Sequence, residues 1–216
     1  MNIDDDLETF DVDQQISTLI HNLSARNMKG CFVNTREELL SLLKELIPVG
    51  SSVGCGDSVT LEETGILNFL RNGDYIFYDK YVDGLSKEQK RTIYLNNFSA
   101  DSFLSSANAV TVDGKIFNID GNGSRVAPML YGPNQVIIVI GINKITKDTD
   151  DAIKRARQIA APLDAKRLGK NTPCTSLERC IDCKHKERIC NDFVLITGQF
   201  TKDRIKVIIL GENIGY

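Results

Sequence analysis

The sequence predicts an α/β fold in three layers: a mostly parallel sheet with helices on both faces, one internal hairpin, and a Cys-rich segment near the C-terminus. Three observations carry that expectation. Short apolar runs alternate with capped amphipathic helices, the pattern of crossovers between parallel strands. One run, "QVIIVIGIN" at 135–143, is almost wholly apolar, as a strand buried on both faces must be. At 164–192 the apolar periodicity stops, and Lys, Arg and Cys dominate. With 216 residues, 42% of them hydrophobic, the chain can bury a sizeable core. One α/β domain over 1–216 is expected, carrying the Cys-rich segment at 164–192.

Each element has its own signal. In "DQQISTLIHNLSAR" (13–26), Ile16, Leu19, Ile20 and Leu23 recur at helical spacing. "GCFVN" (30–34) reads as a short strand. "TREELLSLLKELIP" opens with Thr35 three residues before Glu38, a capping box, and Pro48 ends the helix. "GSSVGCGDSVT" is a Gly/Ser-rich turn into the helix "LEETGILNFLRNG", which stops near Gly73. "DYIFYD" (74–79) reads as a strand, and Ser86 with Gln89 caps a helix running toward Asn97. "ANAVTVDGKIFNID" is a hairpin turning at Asp113-Gly114. After the apolar strand a long helix starts near Asp148, and "DFVLITGQFTKDRIKVIILG" closes the chain as two strands joined by a short polar turn.

Composition narrows the function classes. A formal net charge of −3 gives no basic excess with which to grip nucleic acid or a membrane surface. No apolar run approaches the roughly 20 residues that span a bilayer. The opening "MNIDDDLETFDVDQQ" is acidic and unlike a signal peptide. A cytoplasmic protein is expected, without membrane insertion.

Three loops hold candidate ligand-binding residues. In "VGCGDSVTLEE", Gly54 and Gly56 allow a tight turn, and Asp57, Ser58 and Thr60 stand at a helix start, where free N–H groups favour an anion. The stretch matches neither the Walker A nor the dinucleotide pattern. Its plainer reading is an ordinary strand-to-helix turn. "SSANAVTVDGKIFNIDGNGSRVAPMLYG" gathers Asn108, Asp120, Asn122 and Arg125 around glycines. Arg125 suits a two-pronged carboxylate or phosphate contact, or else is a solvated turn residue. "GINK" ends the apolar strand and puts Asn143 and Lys144 at a carboxyl end, where open α/β sheets bind ligands, or else is a plain strand-end turn with a solvated lysine. Loops at such ends are expected to form one cleft, with Lys144 or Arg125 holding the anion.

These stretches, in this order, resemble the LUD-domain family, named for lactate utilization and represented by the C subunit of the bacterial lactate-utilization system. The carrying motifs are "GDSVTLEETGI", "ANAVTVDGKIFNIDGNGSRVA" and "GPNQVIIVIGINKI". The resemblance covers roughly residues 10–160 and the closing "RIKVIILGENIGY". It implies the fold of the ribose-phosphate isomerase, glucosamine-phosphate deaminase and CoA-transferase superfamily. It also implies a role in oxidising lactate or related 2-hydroxy acids through an iron–sulfur electron-transfer system. By fold analogy alone, Asp113, Lys115 and Asp120 fall where sugar-phosphate isomerases keep acid–base groups. The resemblance brings no catalytic residue set. The chain has no Gly-x-Ser-x-Gly elbow and no His-Glu-x-x-His; His21 sits among polar residues on a helix, and His185 lies among the cysteines.

"TPCTSLERCIDCKHKERICN" (172–191) holds Cys174, Cys180, Cys183 and Cys190. In a reducing compartment such clustered thiols bind metal more often than they form disulfides. Cys180 and Cys183 let two sulfurs of one turn face a single centre, and the flanking thiols complete a four-sulfur shell. Arg179, Lys184, Lys186 and Arg188 offset the charge of such a centre. The spacing matches neither the common ferredoxin run nor a standard zinc ribbon, and a structural zinc or two disulfides remain alternatives. The resemblance tips the reading to a 4Fe-4S iron–sulfur cluster. Cys31 reads as a small core residue, and Cys55 as a packing residue beside a helix start.

The leading expectation is therefore a redox accessory protein that binds a small anionic metabolite, meets redox protein subunits and passes electrons through the cysteine centre. Its competitors are an isomerase- or transferase-like enzyme on a phosphorylated or CoA-linked substrate, and a non-catalytic subunit with structural zinc.

Overall fold

The structure, a computed structural model, describes residues 12–216. The first residues of the acidic opening, and so most of the stretch read as unlike a signal peptide, lie outside the described residues. In chain order the elements are α1 (Val12–Ala25), β1 (Lys29–Val33), α2 (Arg36–Leu46), β2 (Ser52–Cys55), α3 (Val59–Glu63), α4 (Ile66–Asn72), β3 (Ile76–Phe77), α5 (Lys87–Asn96), β4 (Ser102–Ser105), β5 (Ala109–Thr111) and β6 (Ile116–Asp120). Then follow α6 (Val126–Leu130), β7 (Gln135–Gly141), β8 (Ile145–Thr146), α7 (Thr149–Arg155), α8 (Ala161–Arg167), α9 (Pro173–Leu177), β9 (Asp192–Ile196) and β10 (Ile205–Leu210). A π-helical turn, Ala156–Ala160, joins α7 to α8.

The main sheet has six strands in the order β1-β10-β7-β4-β2-β3, every pair parallel. On β7, Val136, Ile138 and Ile140 enter one core cluster while Ile137 and Val139 enter the other, the period-2 alternation of a strand covered on both faces. Fully burying each such side chain contributes roughly 1.5–3 kcal/mol. Leu39, Leu43, Leu61, Ile66 and Leu70 from α2, α3 and α4 cover one face. Ile16, Leu19 and Leu23 of α1 cover the other, together with Val110, Ile116 and Ile196 from a second sheet.

That second sheet, β8-β5-β6-β9, refines the expectation. The hairpin at Asp113-Gly114 forms, with Ala109 opposite Phe117, yet it lies across the main sheet rather than in it. Its outer face packs on α7 and the π-helical turn that follows it, where Ala152 and Ala156 are small enough for close approach to Ala109, Phe117 and Ile119. The closing strands part company: β9 runs antiparallel to β6, and β10 enters the main sheet. Their turn therefore crosses between sheets instead of closing a hairpin.

Local differences have local causes. Thr35 accepts from the Glu38 N–H at 3.2 Å, but Glu38 reaches back to Asn34 N–H at 2.7 Å, so the capping box is offset by one residue. Ser86 and Gln89 form the full reciprocal box. The helix expected through 61–73 breaks at Gly65, whose φ of +74° suits glycine. Cys31 is half-buried rather than a core residue. Among the described residues no helix is long and apolar enough to cross a membrane.

Candidate functional site

Because the main sheet is parallel, β2, β4, β7 and β10 all release their following loops at one edge. A cavity of about 480 Å³ opens there, within the usual range for small-molecule sites. Asp57, Ser58, Thr60, Asn108, Asp120, Asn122, Arg125 and Lys144 line it; Gly54, Gly56 and Asn143 do not. Gly54 lies against Asn97, and a Cβ on Gly56 would meet the Arg125 Cγ at 2.7 Å, so these glycines make room for neighbours rather than for a ligand. Asn143 ties down the tail after β10: its Oδ1 accepts from Ile214 N–H and its Nδ2 donates to Gly215 O, both at 3.2 Å.

Lys144 is 2% exposed. Its Nζ donates to Thr60 Oγ1 at 2.8 Å and to Ser106 Oγ at 3.1 Å. Among the described residues it makes no ion pair. Burial, then the nearby Arg155 and Arg125 guanidinium groups, pull its amine down to about 7 against a weak opposing pull from Glu63. An amine so placed exchanges its proton near neutrality.

Arg125 lines the cavity with its guanidinium turned to protein acceptors. Nη1 donates to Ser106 O at 3.2 Å and Asn118 Oδ1 at 2.7 Å, and Nη2 to Asn108 Oδ1 at 3.2 Å and Ile119 O at 2.6 Å. Nε stands 3.4 Å from Asp120 Oδ2. Every guanidinium nitrogen thus faces a protein acceptor, and Arg125 fastens the β4–β5 connection to β6. Asp120 Oδ1 accepts from the Asn122 and Gly123 N–H groups at 3.2 and 3.0 Å, closing the Gly-rich turn. Asn122 Oδ1 accepts from Ser124 N–H at 3.2 Å.

The glycine loop is similarly self-contained. Ser58 Oγ caps α3 by accepting from Leu61 N–H at 3.2 Å. Asp57 takes Arg167 at 2.9 Å and the Tyr81 hydroxyl at 3.1 Å, with Lys80 Nζ at 4.0 Å. Burial raises the Asp57 carboxyl, but Lys80 and Arg167 outweigh it and hold it below the usual carboxylate range. Cys55 is buried and its thiol is pushed up to about 12, chiefly by burial, which fits a packing residue.

Sequence reasoning missed several lining groups. Ser106 sat beside Asn108 in a polar run and was legible there. Arg167, Asp164 and Tyr216 come from α8 and the closing tail, with no local signal; the Tyr216 hydroxyl donates to Asp164 Oδ1 at 3.2 Å. Asn118, wholly buried within β6, read as an ordinary strand residue. Asp113 and Lys115, suggested by fold analogy, pair with each other at 2.6 Å at the hairpin tip, where Asp113 also meets Arg26, and neither lines the cavity.

The four cysteines of the Cys-rich segment line a second, narrow pocket of about 20 Å³. Arg157 Nη2 and the Asp182 N–H approach Cys180 Sγ at 3.7 and 3.4 Å. Arg188 donates to the Cys183 and Cys190 carbonyls, and its Nε is buried with no partner. Burial pushes the Cys190 thiol up, Arg188 opposes this, and the proximity of Cys180 and Cys183 adds to it. No residue from 173 to 191 is buried, and Glu178 and Asp182 adopt φ of +54° and +53°. As they stand, no three metal-ligating side chains among the described residues gather tightly enough to hold one ion.

A family model described as LUD domain matches residues 16–210, a span that includes the cysteines. The crystal structure of a DUF162 family protein from Deinococcus radiodurans aligns with a TM-score of 0.54 at 12% identity, covering 93% of this chain and 99% of that one, which is a likeness of fold. eIF2B beta from Chaetomium thermophilum gives a TM-score of 0.38 at 14% identity over 56% of this chain and 42% of that one. No curated protein sequence matches.

Proposed function

The chain belongs to the LUD-domain family, which is linked to lactate utilization, and from that premise we propose that it is a redox accessory protein for lactate or a related 2-hydroxy acid. In this reading the cavity binds a small anionic metabolite, and Cys174, Cys180, Cys183 and Cys190 hold a metal centre, of iron–sulfur type, that serves partner redox subunits. The observation that carries it is a shared wall: Ala161, Arg188 and Ile189 line both the cavity and the thiol pocket. A ligand and a redox centre placed back to back are within reach of each other.

The donor set fits such a group in number and type. N–H donors already aimed at Cys180 Sγ and the unpartnered Arg188 Nε suit a negatively charged sulfur centre. Zinc requires the thiols to draw together, and a cubane requires the loop to open; with no buried residue from 173 to 191, little opposes either movement. Bound there, an iron–sulfur cluster would take up and pass on single electrons. Arg157 and Arg188 would stabilise its charge, and the segment's lysines would screen it from outside.

Lys144 favours a second reading, an isomerase- or transferase-like enzyme on a phosphorylated or CoA-linked substrate, because an amine near neutrality can move protons. Anaerobic purification with visible spectroscopy and metal analysis separates these. Brown protein with iron and acid-labile sulfide is expected. Colourless protein with zinc would replace the redox role by a structural one, and colourless metal-free protein would leave the second reading.

A further inference from the structure

Two hydroxyl acceptors face Lys144 Nζ, at 2.8 and 3.1 Å. A neutral amine has two N–H donors and one lone pair, so Thr60 and Ser106 satisfy its donors and leave the lone pair unengaged. An ammonium would keep a third proton with no carboxylate to meet it. Glu63, the acid that acts on it, forms no ion pair with it; its Oε2 accepts from Gly215 N–H at 2.7 Å. The cations around it, Arg155 and Arg125, are fixed on backbone carbonyls and asparagine side chains. A desolvated lysine beside other cations is the setting in which lysines become covalent nucleophiles toward carbonyls. Lys144 lines the cavity, and Gly215 lets the closing tail pass beside the amine without crowding it: a Cβ there would stand 3.0 Å from Nζ.

The rest of the cavity indicates what the carbonyl compound carries. Arg125 and Arg167 are committed to protein partners. Lys170 and Lys186 line the same cavity and, among the described residues, form no ion pair. Together with the unpartnered Nε of Arg188, they are the cationic groups left for an anion.

We propose that Lys144 forms an imine with the carbonyl carbon of an anionic 2-oxo acid held in this cavity. The class rests on the redox reading above, since a 2-hydroxy acid that loses two electrons and two protons becomes a 2-oxo acid. The Nζ lone pair attacks the carbonyl carbon, and a C–N bond forms as the carbonyl oxygen takes a proton. The resulting hydroxyl then leaves as water while C=N forms. Amine plus carbonyl gives imine plus water, with no oxidant or reductant. Thr60 and Ser106 hydroxyls take and return the protons.

Pyruvate with sodium cyanoborohydride tests this on the intact protein, with the adduct mapped by peptide mass spectrometry. One N-carboxyethyl group on Lys144 is expected, and it disappears when the chain is unfolded first. No adduct, or labelling spread over exposed lysines, overturns the proposal. A Lys170→Ala/Lys186→Ala double variant, altered only at exposed or half-buried positions, should need at least about tenfold more pyruvate for half-labelling, since one charge-assisted contact is worth roughly that factor. Acetone labelling Lys144 as fast as pyruvate would overturn the anionic class. Trapping needs no metal, so the two readings fail separately. A labelled Lys144 in colourless protein keeps this inference and sinks the redox role; an iron–sulfur protein with unlabelled Lys144 does the reverse.

Discussion

The cavity and the cysteine segment adjoin, but different forces hold them. Around the cavity, Thr60, Ser106, Asn118 and Lys144 are buried and joined by hydrogen bonds to elements of the parallel sheet or its hairpin. Between 173 and 191 no residue as a whole is buried, and two non-glycine residues sit in left-handed conformations. Such conformations are kept only where something else fixes them. The cavity is thus a product of the fold; in the reading proposed above, a group held by the thiols would add the fixing contacts that the segment's own burial does not supply. The segment still reaches the cavity: Asn191 donates from its backbone to Asp120 O at 2.9 Å and from Nδ2 to Gly121 O at 2.9 Å.

The largest expected effect tests the segment's half of this contrast. Cys180→Ser or Cys183→Ser should abolish bound metal, read by metal analysis, and move the urea unfolding transition of the α/β framework by no more than about 0.5 kcal/mol. Full metal retention in either variant would remove that cysteine from the ligand set. Loss of the whole fold would mean the segment is as integral as the cavity, and the contrast would break.

Arg125→Ala tests the other half. The substitution strips partners from the buried Asn118 and half-buried Asn108 side chains and from the Ser106 and Ile119 carbonyls. Removing one member of a buried charged network costs about 3–5 kcal/mol, so urea unfolding should show destabilisation of that order. Arg125→Lys should recover little of it, because a point charge cannot meet acceptors spread around a planar fork. Near-native stability in the alanine variant would show a solvated, ligand-facing arginine after all.

Arg125 also marks where the sequence was legible and where it was not. Thr35, Ser86 with Gln89, Asp113-Gly114 and the run at 135–143 are local signals, and each produced its element. That separate loops meet at one edge followed from parallel strands. A guanidinium in a turn rich in Gly and Asn reads the same whether its partner is a ligand or the next strand, so the role of Arg125 depended on Asn118 and Ile119 being opposite. Arg167 reaches Asp57 across 110 residues, a contact no periodicity encodes. The hairpin's membership of a second sheet depended on β9, whose pattern fits either sheet.

The smallest effect is the most diagnostic of how dry the cavity floor is. Unfolded, Lys144 titrates near 10.5; folded, burial and the neighbouring Arg155 and Arg125 bring it to about 7. Between those values the unfolded chain holds a proton that the folded chain lacks, so this lysine makes stability rise with pH through the window. Below about 7 both states are protonated, and its contribution stays constant at its least favourable. Lys144→Met removes the titration while keeping the volume. Other titrating groups contribute alike to both proteins, so the stability of the methionine variant minus that of the wild type isolates Lys144. That difference should fall by up to roughly 1.4 kcal/mol per pH unit between pH 7.5 and 9, measured by urea unfolding at each pH. A flat difference would mean that Lys144 stays charged in the folded chain with water or an unrecognised partner beside it. The cavity floor would then be as loosely determined as the cysteine segment.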